Sequence, residues 1–266
     1  MKIILSRKGF DSSYGGQPSP ILPDGTLLTM PIPSKDEIVK YADLYYNGES
    51  YYKIIQDLKQ NSKIKENYVC HLDPDLRFDV MERQTDDWKP IFGQGNASKT
   101  HLENQKVDIG DIFLFFGWFC QTEIINGKYN YVKGSPAIHL IFGYLQIGEI
   151  HFDNFPSYAK HHPHCIENGK IRTNNCIYVA KDELSFDKNF SGAGILKFNN
   201  NLVLTKSGMS KSCWDLPDFF KNLNISYHSQ NSFKEGYFKS ADIGQEFVIS
   251  ADDNLIEWTK ELLLKN

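Results

Sequence analysis

Four stretches of the chain concentrate side chains able to do chemistry. The first, SRKGFDSSYGG (residues 6–16), follows an apolar run with one lysine and packs Arg7, Lys8, Asp11, three serines and three glycines into eleven residues. Such a loop after a strand can present successive backbone N–H groups to a phosphate, with Gly15 and Gly16 in the cradle and Arg7 and Lys8 as charge-assisted donors. It is not the Walker A pattern, and no Gly-x-Gly-x-x-Gly fingerprint occurs anywhere. A structural account weighs equally: Arg7 pairs with Asp11 across a turn, and the two glycines supply positive φ.

The second stretch, HLDPDLR, puts His71, Asp73 and Asp75 at alternating positions, which share one face of an extended segment. One imidazole with two carboxylates can hold a metal or move protons. Asp-Pro-Asp is also ordinary turn chemistry, and that plainer account weighs slightly more. The third, HHPHC, supplies His161, His162 and His164, the last two sharing a face if extended. Histidine clusters bind transition metals, so His162 and His164 are metal candidates and a divalent metal is the candidate cofactor. The spacing matches no standard zinc signature. The fourth, FGQGNASKTHL, contributes Gln94, Asn96, Ser98 and His101, able to read the edge of a base or to support a catalytic group. All five cysteines read as buried thiols; Cys165 beside His164 comes nearest to a nucleophile.

The elements that must position these residues can be read from periodicity and punctuation. Residues 1–5 read as a strand, and the Gly/Pro-rich stretch after them as a long ordered loop. Ser34 and Glu37 form a capping box that predicts a helix with Ile38, Tyr41, Ala42 and Tyr45 on one face. A second helix is expected over residues 50–60, and NASKTHLENQ as a third. DIFLFFGWF reads as a buried strand, with YNYV and AIHLIFGYLQIGEI as partners and Asn126-Gly127 as the hairpin turn. CIYVA, AGILKF and LVLT read as short strands, and residues 254–264 as a closing amphipathic helix. Strands and helices do not alternate regularly, so the expected class is α+β: a mixed, largely antiparallel sheet or partly closed barrel with flanking helices. The expected organisation is one domain over 1–266, with its core in about 1–217.

Composition removes several classes. Hydrophobic residues at 41% and charged residues at 23% are near globular averages, so a folded chain is expected. The longest apolar block, residues 112–120, is about half the ~20 residues a membrane helix requires, so no membrane partner is expected. Five scattered cysteines without a Cys-x-x-Cys pair suit a reducing cytoplasm. A formal net charge of −4 lacks the global field of a non-specific DNA binder, and nucleic-acid contact would need a local basic stripe.

The blocks SRKGFDSSYGGQPSPILPDG, HLDPDL, FGQGNASKTHLENQKVDIGDIFLFFGWF, HLIFGYLQIGEI and HHPH…NNCIYVA, in this order, resemble the bacterial and phage family called nucleotide modification associated domain 3. The resemblance runs from the first residues to about Pro217. It implies an association with modification of nucleotides in DNA, in phage or anti-phage settings, without naming a reaction. Carried over, its motifs mark Arg7, Lys8, Asp11, Ser19, His71, Asp73, Asp75, Gln94, His101, His162 and His164. The chain departs at Cys120, where the family suggests arginine. A shorter similarity, V-x-x-GD-x-x-x-FF followed by GYLQIGEI, is to the barrel strands of modified-base readers of the PUA type.

Two functions follow. In the first, the protein is an enzyme acting on a phosphorylated nucleotide or a base in DNA. Arg7, Lys8, Gly15, Gly16, Ser19 and Gln94 then bind the nucleotide, and Asp11, His71, Asp73, Asp75 and His101 serve catalysis. In the second, it is a non-catalytic reader whose Phe113–Phe119 stretch forms an aromatic cage for a flipped base. Convergence of Asp11, Asp73 and Asp75 in one pocket would favour the enzyme, and dispersal the reader.

Overall fold

Two fourteen-residue strands rich in Phe, Ile and Leu form the centre of the molecule, because both faces of the sheet they build are covered. The structure is a computed structural model that describes residues 1–83, 86–165, 174–241 and 246–265. The strands of the main sheet are β1 Lys2–Arg7, β2 Ser19–Ile21, β3 Ile91–Gly95, β4 Ile112–Ile125, β5 Lys128–Tyr131, β6 Ile138–His151, β7 Asn175–Ala180, β8 Ala193–Ile195 and β9 Glu246–Ser250. Their order is β9-β1-β4-β6-β7-β3, with β2 and β5 also on β4 and β8 on β6. β1 and β2 run parallel to β4, and every other pairing is antiparallel. The sheet is open and mixed, with no closed barrel, so the α+β expectation holds in its sheet form and the barrel alternative falls.

Among the described residues, three α-helices flank it. α1, Tyr51–Leu58, is capped by Ser50, which accepts from the Lys53 N–H, and buries Ile54, Ile55 and Leu58. α2, Asn96–Asn104, follows β3 without a break. α3, Asp253–Leu264, is capped by Asp252 and buries Leu255, Leu262 and Leu263. None of the described helices is long and apolar enough to cross a membrane.

The hairpin between β4 and β5 turns at Asn126-Gly127, both with positive φ (52° and 74°), as a two-residue turn of the primed kind requires. The capping box at Ser34 does not open a helix: the segment forms only a 3₁₀ turn at Tyr41–Asp43. Ser34 Oγ accepts from the Asp36 N–H, Ile38 is exposed, and Glu37 is drawn inward to His71, so a tertiary partner overrides the local signal. LVLT is not a strand either; it follows a 3₁₀ turn at Asn200–Leu202 and meets the main sheet through the single bridge Leu140–Val203. The aromatic cage also falls, because Phe113, Phe115, Phe116 and Phe119 are fully buried core residues.

Strand alternation sorts β1 by face. Ser6 and Lys8 reach Glu246 on the face where Phe92 packs Phe113 and Phe115. The other face carries Phe116, His139, Trp214 and Phe247. Buried His139 accepts at Nδ1 from the Trp214 indole N–H at 3.1 Å, and burial, helped by the charges of Lys211, Arg7 and Lys239, pushes its pKa down to about 3. The folded value lies below the unfolded one, so this stabilisation is complete above about pH 6.5 and is lost as pH falls toward 3. We expect stability to drop by up to roughly 1.4 kcal/mol per pH unit from this group over that window. Denaturant midpoints measured from pH 7 to 4 should fall less steeply in His139→Gln than in the native protein.

Candidate functional site

The chain from Asp73 to Asp75 lies alongside β3. Asp75 exchanges both backbone hydrogen bonds with Ile91, at 2.9 and 3.0 Å, which brings the Asp73 carboxylate to the Gly93 N–H, 2.8 Å from Oδ1. His71 is held one step earlier by pairing of Cys70–His71 with Ile32–Pro33. From the other side, the loop after β6 delivers His162, which stands beside Asp73, and His164, which packs over Gly93 and against Asn175 at the start of β7.

Three ligand-type atoms converge there. His71 Nε2 is 3.8 Å and His164 Nε2 3.9 Å from the same oxygen, Asp73 Oδ2, and one ligand atom from each residue lies within 4.8 Å of the others. Each imidazole is fixed through its other nitrogen. His71 Nδ1 is 2.9 Å from Glu37 Oε1, and His164 Nδ1 is 2.5 Å from Asn175 Oδ1, whose own amide donates to the His164 carbonyl. Glu37 and Asn175 Oδ1 can only accept, so in the tautomers assigned from these bonds both Nδ1 atoms carry the proton and both Nε2 lone pairs face Asp73. Two lone pairs and a carboxylate oxygen turned on one another repel unless a cation stands among them. The spacing suits one: atoms each about 2.1 Å from a tetrahedral metal stand about 3.4 Å apart.

The electrostatics agree. Burial would raise the Asp73 carboxyl, but contact with His162, the His164 ring and the Lys8 ammonium together hold it well below the usual range. Burial pushes His164 down to about 3 against the pull of Asp73, which keeps the ring neutral and its lone pair available. His162, fully buried, has Nε2 3.2 Å from Asp73 Oδ1 at an angle short of a hydrogen bond, while its Nδ1 accepts from the His164 N–H.

The remaining residues singled out by sequence have separate places. Asp75 is taken up by a two-pronged Arg83 contact at 2.7 and 2.8 Å, by the Trp88 indole and by His161. Asp11 closes a local turn, accepting from the Ser13 and Tyr14 N–H groups, and Gly15 is required there because a Cβ would stand 2.3 Å from the Phe10 ring. Gly16 has positive φ and open space around it. Asp11, Asp73 and Asp75 therefore do not share one set of partners. Ser19 is buried and accepts from the Met30 N–H. Lys8 pairs with buried Glu246 at 3.3 Å, with its ammonium 4.4 Å from the centre of the Phe92 ring, and Gln94 and Ser6 donate to the same carboxylate oxygen. His101 lies against Tyr227 with ring centres 4.2 Å apart and meets Ser226 Oγ at 3.0 Å. Arg7 ends β1 on the opposite face, and Cys120 is buried with its thiol toward the Ser135 carbonyl.

Sequence reasoning missed Glu37, Asn175 and Glu246. Glu37 was hidden inside a convincing capping box, and Asn175 stands in a quoted block without any local sign of its role. Glu246 lies beyond the stretch in which the resemblance is visible.

The chain belongs to the nucleotide modification associated domain 3 family, whose model matches residues 2–250. That span reaches past Pro217 to take in β9 and Glu246. No curated protein and no solved structure matches the chain.

Gly93 is required by the cluster itself, since a Cβ there would fall 2.3 Å from His164 Cγ and Cδ2. We expect Gly93→Ala to destabilise the protein by about 1–3 kcal/mol through overpacking. The cost should shrink in a His164→Ala background, where the ring is gone. Denaturant midpoints of the two single variants and the double variant measure that coupling; additive costs would place the ring elsewhere.

Proposed function

We propose that the protein is an enzyme that modifies a nucleotide or a base within DNA, working at a divalent transition metal held by His71, Asp73 and His164. The observation that carries this reading is the convergence of two imidazole lone pairs on one oxygen of a buried carboxylate, each ring locked from behind by Glu37 or Asn175. Family membership supports a nucleotide as the substrate. Two imidazoles and one carboxylate leave coordination positions open, as catalytic rather than structural sites do. Such a metal would supply Lewis acidity and an activated water.

The chain's own residues have separable tasks in this reading. Glu37 and Asn175 set the tautomers, and Gly93 and His162 hold Asp73 Oδ1 so that Oδ2 stays with the ligand set. Lys8 keeps positive charge near Asp73 and helps to hold its carboxyl ionised. Asp75 is structural, its carboxylate engaged by Arg83, Trp88 and His161. Dispersal of the three aspartates would speak for a reader, but the four phenylalanine rings proposed for its cage are buried core. The same dispersal suits a metal centre built on a single carboxylate.

Protein purified without a histidine tag should bind about one equivalent of a divalent transition metal by elemental analysis. Glu37→Gln should lower that affinity ~10–100-fold and Asp73→Asn more severely. Mass spectrometry of nucleosides from DNA and from nucleotides incubated with the protein should show a new or lost species that Asp73→Asn does not produce. Absence of metal binding, or the same products from Asp73→Asn, would overturn the proposal.

A further inference from the structure

The two halves of the ligand set come from distant parts of the chain: His71 and Asp73 from the segment beside β3, and His164 from the loop after β6. That loop is internally tied. Its 3₁₀ turn at Ser157–Ala159 is followed by hydrogen bonds from His162 N to Ala159 O at 2.8 Å and from Cys165 N to His162 O at 2.7 Å, and the His164 N–H meets His162 Nδ1 at 3.3 Å. Ala159 and Cys165 bury the underside of the loop against Ile91 of β3 and Ile177 and Val179 of β7. Apolar contact of this kind holds the loop down without setting its direction.

Direction comes from side chains. Neighbouring imidazoles of the loop meet the two carboxylates that flank Pro74: His162 Nε2 stands 3.2 Å from Asp73 Oδ1, and His161 Nε2 stands 3.1 Å from Asp75 Oδ2. The second contact is a hydrogen bond in which the ring donates, whereas the first falls short of one. Asp75 is buried and already oriented when the loop meets it. Arg83 grips both of its oxygens at 2.7 and 2.8 Å, the Trp88 indole donates to it at 3.0 Å, and its backbone is fixed to β3 at Ile91. Burial would raise the Asp75 carboxyl, but the bonds from His161, Arg83 and Trp88 hold it below its usual range, so it remains an acceptor. His161 therefore ties the His164 loop to the segment that carries Asp73, at a point outside the ligand set.

We propose that His161 is a positioning residue of the metal centre: through its bond to Asp75 it sets the loop where His164 Nε2 faces Asp73 Oδ2. The inference rests on the proposed function, since what His161 positions is the ligand set. Ligand distances at a metal must hold within about 0.2 Å, a tolerance that non-directional apolar packing does not supply. Asp75 offers no atom to the metal, yet it gives the second aspartate of Asp-Pro-Asp a part in the site. The His161 side chain is 24% exposed, and Asp75 keeps its bonds to Arg83 and Trp88 without it, so the ring can be removed with the fold intact.

Cobalt(II) is the probe, because its visible absorption reports the geometry of its ligands. Protein without a histidine tag is titrated with cobalt(II), and melting temperatures are measured on the metal-free samples. The native protein should bind about one equivalent. His161→Ala should bind ~10-fold more weakly, with an altered cobalt spectrum and a metal-free melting temperature within about 2 °C of the native one. His161→Gln, whose amide can donate to Asp75 in place of the ring, should recover most of the affinity and the native spectrum. Neither the loss of a metal ligand nor a general loss of packing would give that rescue. If His161→Ala binds cobalt as the native protein does, or His161→Gln fares no better than His161→Ala, the positioning role is overturned while the centre stands. A steep fall in the metal-free melting temperature of His161→Ala also overturns it, since the residue then holds the fold rather than the site. A native protein that binds no cobalt overturns the centre and this role together, so the two failures give different results.

Discussion

The hydrogen bond from the Gly93 N–H to Asp73 Oδ1 ties the loop that carries His71 and Asp73 to the sheet, and the candidate site is assembled around it. With one oxygen committed to the backbone of β3, the other is left to face the two imidazoles. The same strand position must lack a side chain, because the ring of His164 occupies the space a Cβ would take. One backbone group thus fixes the carboxylate, and one missing methyl admits the ring. Everything else near the cluster, from Glu37 behind His71 to Asn175 behind His164, narrows an orientation that this contact has already set.

Local pattern was enough for much of the scaffold. Uninterrupted aromatic and branched residues announced β4 and β6, Asn126-Gly127 announced the turn after β4, and Ser50 marked the start of α1. β3 was not visible, because its two glycines give it a weak strand signature, and one of them, Gly93, is there for the histidine packed on it. The failure at Ser34 has the same origin: Glu37 satisfies every local rule for a helix start, yet its carboxylate is engaged by a histidine 34 residues further on. Residues required by the site obscure the propensity of the elements that hold them.

The site residues divide in the same way. Alternation in His71-Leu72-Asp73 put both ligands of the first loop on one side, and pairing His162 with His164 found the right loop, but which atoms meet depends on contacts no spacing encodes. Asp75 satisfies the alternation equally well and is nonetheless claimed by Arg83, Trp88 and His161. Ser19 and Lys8 were legible as polar residues in a functional-looking loop; their partners, Met30 and Glu246, come from elsewhere in the chain.

The position of β1 has a consequence for how the protein is made. β1 precedes every other strand of the sheet in the sequence, yet it lies between β4 and β9, and Lys8 meets Glu246 across 238 residues of sequence. Until residues 246–250 are synthesised, β1 has an unpaired edge and a lysine without its carboxylate, a state open to wrong pairing with other chains. Closing a loop of that length is slow to be rewarded, so the β1–β9 pairing is among the costliest contacts of the sheet to form. A stop codon only slightly before residue 246 would leave most of the core sequence intact and still yield a product exposed to aggregation.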